Sequence, residues 1–358
     1  MRGVLLLISL LGLVGCSHHG TVAAAPMPAV AGPSFLNEEQ GVRYTRQQMD
    51  KLAPTISFRL SGTDVYNRAR NIADQMLKAG LAVSFTIRTR GDEVVLQPVY
   101  SDGEVMLRAL KRPGVRACLN ADQQRALRHA ENVVRDVCAR HRSEYDRALA
   151  MHDYLVLNSE YKDSLNGHDT ANATALLLNT GKGVCDSYTR AYRLMLTMAG
   201  IENRFVAGEA NGDSHCWNLV RVDGAWVHVD CTYSDPKPDA EGRIYHTHFA
   251  LTDSMIASDH VWNRSLYPAA TSTALYYPYR HRAFESMYDL VSWARRQNRN
   301  TPGQYITAYV DELRVMGSDD QTARRLIEDA HEEVNEHVIV YYALEKCLPG
   351  VICVKVKN

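Results

Sequence analysis

The dipeptide Asp223-Gly224, set between two apolar-rich runs, constrains this chain more than any other pair of residues in it. A two-residue Asp-Gly loop closes an antiparallel hairpin, because both residues tolerate the left-handed backbone that the turn needs. Closing the loop fixes a register. Val222 falls opposite Ala225, Arg221 opposite Trp226 and Val220 opposite Val227, and the ladder runs back to Trp217 opposite Asp230, Cys216 opposite Cys231 and His215 opposite Thr232. Side chains alternate faces along a strand. His215, Trp217, Asp230 and Thr232 are therefore expected on one face, with His215 and Asp230 as diagonal neighbours on adjacent strands.

Upstream, "GKGVCDSYTRAYRLMLTMAGI" places Cys185 after a Gly181-Lys182-Gly183 turn. It opens a stripe of helical period: Tyr188, Ala191, Tyr192, Met195, Met198, with Gly200 as the stop. A thiol at a helix N-terminus faces unpaired N–H groups and the positive end of the helix dipole, and both favour the thiolate. A carboxylate at 230 can hold one nitrogen of His215 and leave the other to take the thiol proton. That is the logic of nucleophile, base and orienter. His152 lies within an apolar helical stretch beside Leu149, Leu155 and Val156 and reads as a packed or capping residue.

These residues, together with "ALAMHDYLVLNSEYK", "SHCWNLVRVDGAWVHVDCTYSDP" and "HTHFALTDSMIASDHVW", resemble the bacterial branch of the transglutaminase-like superfamily of cysteine enzymes. The resemblance covers about residues 121–262. It implies an α+β, papain-like core with Cys185 as nucleophile, His215 as general base and Asp230 as orienter, acting on amides by acyl transfer. Some members cross-link glutamine to amines, and many bacterial relatives are thought to be proteases or amidases. The backbone N–H of Cys185 is the expected oxyanion donor, with Tyr161 a candidate second donor. No acidic loop of EF-hand type occurs, so calcium is not carried over. No Cys-x-x-Cys or His/Cys cluster points to zinc, and neither a metal nor any other cofactor is expected.

The first fifteen residues read as a signal segment: Arg2, then "GVLLLISLLGLVG", too short for a confident membrane span. Leu13-Val14-Gly15-Cys16 resembles a bacterial lipoprotein processing site, which makes Cys16 the lipidation residue. By analogy with Gram-negative sorting, Ser17 after it favours the outer membrane. The expected location is the cell envelope, anchored by lipid on the periplasmic face of the outer membrane. Residues 16–50, small and Pro/Ala-rich at first, read as a flexible tether. With a formal net charge of −1 and 23% charged residues, nothing favours a nucleic-acid partner. The basic run Arg108–Arg116 reads as a solvated linker.

Of eight cysteines, six remain after Cys16 and Cys185. Cys216 and Cys231 are direct opposites in the hairpin register and are expected to form a disulfide. Cys347 and Cys353 flank "LPGVI" and could pair across it. Cys118 and Cys138 stand at either end of a helix, roughly 25 Å apart at 1.5 Å per residue, so Cys138 reads as a buried thiol.

A weak internal repeat flanks the core. Strand (56–60), helix (64–78), strand (81–88) and strand (93–99) are matched by strand (305–310), helix (320–333), strand (337–344) and strand (351–356). The expected fold is α+β, a transglutaminase-like core at 111–270 between two small β-α-β-β modules. The first module spans 51–110; the second, with a linker, spans 271–358. In that linker Tyr276, Tyr277 and Tyr279 read as packing residues, with sugar stacking as the other reading. The expected activity is thiol-dependent amide hydrolysis on a periplasmic or cell-surface peptide or protein, cell-wall-linked material included. The alternatives are acyl transfer to an amine, which would cross-link proteins, and a non-catalytic envelope scaffold.

Overall fold

The computed structural model describes residues 6–9, 30–165, 171–235, 244–297, 305–334, 338–344 and 349–357. Cys16 and Cys347 lie outside them, and so do the lipidation site and the Cys347–Cys353 pairing. No helix among the described residues is long and apolar enough to cross a membrane.

The first part of the chain runs β1 (Leu6–Ser9), β2 (Ser34–Phe35), α1 (Glu38–Asp50), β3 (Ile56–Leu60), α2 (Val65–Lys78), β4 (Ser84–Arg90) and β5 (Glu93–Val99). The strands form one sheet in the order β1-β4-β5-β3-β2. In α2 the buried positions Val65, Ala69, Ile72, Ala73, Met76 and Leu77 form one helical stripe against that sheet. The tether expected to reach residue 50 ends sooner, because residues 37–50 carry a helix. Asn37 caps it by accepting from the Gln40 N–H, and Glu38 and Glu39 lie at the positive end of its dipole. Its buried stripe is only Gly41, Thr45 and Met49, too narrow and too polar to register as a hydrophobic period.

The central part begins with α3 (Asp102–Ala109), α4 (Pro113–Ala117), α5 (Ala121–Arg140), α6 (Glu144–Leu157) and β6 (Glu160–Tyr161). It continues through α7 (Ala173–Thr180), β7 (Lys182–Gly183), α8 (Cys185–Met198), β8 (Asn203–Ala210), β9 (Asp213–Val222) and β10 (Ala225–Val229). Then come α9 (Cys231–Ser234), β11 (Phe249–Leu251), α10 (Asp253–Ile256) and β12 (His260–Trp262). A full capping box, Asn120 with Gln123, starts α5, and Ser143 caps α6. The sheet order is β11-β10-β9-β8-β12. The hairpin pairs as the Asp-Gly turn predicts, from Val222 opposite Ala225 to Asn218 opposite Val229. Val220, Val222, Val227 and Val229 share a core with Tyr188, Ala191, Tyr192 and Met195 of α8. Trp217 and Leu219 point to the other face, onto Val206, Leu251 and Ile256.

The last part holds two 3₁₀ turns (Arg264–Leu266, Thr273–Leu275), α11 (Tyr277–His281), β13 (Ala283–Phe284), α12 (Met287–Gln297) and β14 (Tyr305–Val310). It ends with α13 (Asp311–Met316), α14 (Asp320–Val334), β15 (Ile339–Leu344) and β16 (Val351–Val356), in a sheet of order β13-β14-β16-β15. The two flanking regions share more than element order. In each, the first long strand pairs with the third and the third with the second, all antiparallel. In each, a two-residue strand joins the first long strand in parallel across an intervening helix, β2 on β3 over α1 and β13 on β14 over α12. The common pattern is β-α-β-α-β-β, one strand and one helix longer than the sequence suggests. The C-terminal copy adds α13. Tyr276 is fully buried, and Tyr277 stacks on His246 at 3.9 Å between ring centroids, so both pack as expected.

Candidate active site

Two short contacts fix the start of α8. β6 pairs in parallel with β7, Tyr161 beside Gly183. At Gly183 an added Cβ would come within 2.6 Å of the Ser187 Cβ, so only glycine lets the chain turn this tightly into the helix. Val184 is extended, and its N–H is bonded to Ser187 Oγ at 3.1 Å. Cys185 is the first helical residue, so its own N–H belongs to the group that a helix leaves without an internal acceptor. Two hydrogen bonds hold α8 to β9. Thr189 Oγ1 donates to the Cys216 carbonyl at 2.9 Å, and Asn218 Nδ2 donates to the Thr189 carbonyl at 3.1 Å. They bring Cys216 against Cys185, in a small buried cluster with Phe205.

The hairpin then departs from a straight ladder. β10 stops at Val229, and Asp230 becomes the N-cap of α9. Its Oδ1 accepts from the N–H groups of Thr232 at 2.8 Å and Tyr233 at 3.1 Å. The expected Cys216–Cys231 disulfide is therefore absent; both are thiols. Cys231 turns with α9 into the main core, while Cys216 faces Cys185. A carboxylate used as a helix cap ends the strand two residues too early for the two cysteines to oppose each other. Thr232 leaves the shared face for the same reason.

His215 and Asp230 nevertheless meet. His215 Nε2–H donates to Asp230 Oδ2 at 2.7 Å, with the two residues 8% and 1% exposed. Trp217 stacks beside the imidazole and Tyr233 meets it edge-on. With Nε2 taken, Nδ1 is the nitrogen left for the hydrogen bond to Cys185. Cys185 is pulled down to about 5, first by the hydrogen bond from the Cys216 thiol and then by His215, against burial. Burial would lower His215, but the Asp230 carboxylate and the Cys185 sulfur outweigh it and lift it to about 10. Between those values the pair rests as thiolate and imidazolium. Burial and the adjacent thiolate push Cys216 well up, which keeps it a donor. Replacing Cys216 with alanine should raise the midpoint of Cys185 alkylation by about one unit or more, the worth of a charge-assisted hydrogen bond. Alkylation rate against pH reads this directly, and an unmoved midpoint would remove Cys216 from the site.

Tyr161 is half-buried, with its ring 6.4 Å from that of Tyr188. Burial, then the Cys185 charge, raises its phenol, so it remains a donor near the sulfur. His152 is fully buried, bonded through Nδ1 to Asp153 at 2.9 Å, and burial holds it neutral, in keeping with a packing role.

Sequence reasoning missed three polar groups. His260 Nε2 donates to the same Asp230 Oδ2 at 3.0 Å, and its Nδ1 contacts Asp259. His228 bridges Trp217 and Asp253, at 2.9 and 2.8 Å. Arg190 on α8 is 1% exposed, bonded through Nε to both oxygens of Asp186 at 2.8 Å and through Nη1 to the Gly80 carbonyl at 2.6 Å. The available signal was the His/Asp-rich run "HTHFALTDSMIASDHVW" and an arginine on the apolar side of α8. Three His-Asp-His groups bring donor atoms within 4.8 Å: His152, Asp153 and His246; His215, Asp230 and His260; His248, Asp259 and His260. These contacts are accounted for as N–H···O bonds.

Residues 131–231 match the family model described as the transglutaminase-like superfamily, an interval that contains Cys185, His215 and Asp230. Among solved structures, the periplasmic domain of TgpA from Pseudomonas aeruginosa aligns at 20% identity over 39% of this chain and 53% of that one, with a TM-score of 0.27. A structure described as a TGase aligns at 15% identity over 61% of this chain and 62% of that one, TM-score 0.29. A proposed cysteine protease from Cytophaga hutchinsonii aligns at 24% identity over 24% and 30%, TM-score 0.22. The chain thus spans less than two thirds of each of these structures. No match was found among curated proteins. The thiol, imidazole and carboxylate of Cys185, His215 and Asp230 all lie inside the interval that matches the transglutaminase-like superfamily, and the fold around them is α+β.

Proposed function

We propose that this protein is a cysteine hydrolase of amide bonds in peptides or proteins of the cell envelope, held there by a lipid on Cys16, whose processing removes residues 1–15 and with them β1. One observation carries the reading: a thiol at a helix start, hydrogen-bonded to an imidazole whose far nitrogen is held by a buried carboxylate. The Cys185 thiolate attacks the amide carbonyl, and the C=O electrons move onto oxygen, toward the N–H of Cys185. Collapse of this adduct expels the amine, which takes its proton from His215. Neutral His215 then removes a proton from water as water attacks the thioester. The second collapse releases the carboxylic acid and restores the thiolate and imidazolium. Amide plus water gives acid plus amine, with no net change at the enzyme. An amine in place of water would give a cross-link instead, and the openness of an envelope site to water favours hydrolysis.

The test joins labelling to product analysis. Wild type should react at Cys185 with a thiol-directed electrophile at neutral pH, and should cleave envelope peptides or cell-wall fragments, read by mass spectrometry. Turnover should rise through about pH 5 as the thiolate forms and fall through about pH 10 as His215 loses its proton. Cys185→Ala should lose both labelling and turnover. Full turnover in a folded Cys185→Ala variant would end the proposal, and cross-linked rather than cleaved products would replace hydrolysis with transfer.

A further inference from the structure

The buried imidazoles beside the site are not equivalent. Their partners fix their charge, because a neutral imidazole has one N–H and one lone pair. His228 faces the indole N–H of Trp217 on Nδ1, which can only donate, and the Asp253 carboxylate on Nε2, which can only accept. One proton, on Nε2, satisfies both, and His228 is neutral. His260 faces carboxylates on both nitrogens, Asp230 on Nε2 and Asp259 on Nδ1. A neutral ring would turn a lone pair against one of them at hydrogen-bond distance, inside a site where His260 is 1% exposed. Only the imidazolium satisfies both.

We propose that His260 is a positioning residue: an imidazolium clamped between Asp230 and Asp259 that holds the Asp230 carboxylate and shares its Oδ2 with His215. The proposal rests on the reading of Cys185 and His215 as the reacting pair. Its geometry is specific. Asp230 accepts four hydrogen bonds, two backbone N–H groups on Oδ1 and two imidazoles on Oδ2, so it cannot turn without breaking at least two. Asp259 is held in turn by His248 Nε2 at 3.0 Å. Burial opposes charge on His260, and the two carboxylates outweigh it. The His215 and His260 rings are 5.4 Å apart, close enough for the second cation to weigh on the first. Three further polar rings lie against His260: the Trp217 indole at 4.8 Å, the Tyr233 phenol at 4.9 Å, its titration raised by burial, and the His248 imidazole at 5.7 Å.

The sign of the effect follows from charge alone. A cation beside the pair makes every nearby group release its proton more readily. Removing it should move both limbs of the Cys185 pH profile upward. His260→Gln keeps a donor near the Nε2 position and drops the charge. Relative to wild type, the acid limb near 5 and the basic limb near 10 should both rise, the basic limb by about two units for a unit charge 5.4 Å away in an effective dielectric of about 20. Alkylation of Cys185 against pH reads the acid limb without any substrate. A slower enzyme with both limbs unmoved would make His260 merely structural and overturn the proposal. A wild type that shows no low-pH thiolate would instead overturn the reading of the Cys185 site, so the two failures are distinct. The nitrogen-15 spectrum of ring-labelled wild type should show both His260 nitrogens protonated at about pH 7, since each faces a carboxylate. One protonated nitrogen would overturn the clamp. Asp259→Asn, which keeps the ring, assigns that signal if His260→Gln does not fold.

Discussion

Asp230→Asn should lower kcat/KM by on the order of 10³–10⁴-fold, as loss of the orienting carboxylate does in other triads. The structure makes the loss specific. An asparagine offers one oxygen and one amide nitrogen where Asp230 offers two oxygens to four donors. If the oxygen stays with the N–H groups of Thr232 and Tyr233, the amide nitrogen faces His215 and His260. His215 must then turn a lone pair toward residue 230 and place its proton on Nδ1, the side facing Cys185. An imidazole in that tautomer cannot take the thiol proton. The imidazolium also loses the anion that outweighs its burial, so the basic limb should fall from about 10, opposite in direction to the shift expected for His260→Gln. The measurement is kcat/KM against pH, with melting curves to show that α9 keeps its cap. Unchanged kcat/KM in a folded variant would remove Asp230 from the site.

Arg190→Met should be the most destabilising single change in the core. The guanidinium is buried, shares its Nε–H between both oxygens of Asp186, bonds the Gly80 carbonyl through Nη1, and lies 4.8 Å over the Phe205 ring. Removing one partner of such a pair leaves the other charge buried and uncompensated, a loss of about 3–5 kcal/mol. Glu104 is also near, at 3.9 Å, but it keeps Arg108 and Arg193. Asp186 keeps no such second partner among the ion pairs of the described residues, so it carries most of the loss. Combining Arg190→Met with Asp186→Leu should therefore recover much of the stability, since an apolar pair of similar volume has no charge left to strand. Chemical denaturation of the single and double variants separates these terms. Equal losses in the two would show that the arginine matters for packing rather than for charge.

Much of the site was legible because two short-range rules act on few residues. An Asp-Gly turn sets a register with no help from the rest of the fold, and the register held from Val222 to Asn218. A thiol before a helical stripe marks a helix start, and Cys185 is the first residue of α8. The rules failed where a side chain competed with the backbone. Asp230 could extend the strand or cap a helix, and as a cap it satisfies two N–H groups. That choice took Cys231 away from Cys216 and left Cys216 for Cys185. His260 was invisible for another reason: it reaches Asp230 from 30 residues away, across β12, and no local period encodes that contact. In the flanking regions the long strands and amphipathic helices were readable. β2 and β13 were not, because two residues carry no alternation.

The Gly80 carbonyl is a main-chain group that ends α2, and Arg190 grips it from inside the nucleophile's helix. Gly80 adopts φ +69°, and an added Cβ would lie 2.5 Å from the Phe205 ring, the same ring that packs on Cys185 and Cys216. A residue far upstream of the thiol in sequence is thus one side chain away from it in space. The natural place to cut this chain, just before the helical core begins at α5, would discard the acceptor of a buried guanidinium and bare the wall behind the nucleophile. The smallest piece that keeps this site's walls must therefore start upstream of the core. The N-terminal module stands under the Cys185 site as a foundation does under the room above it.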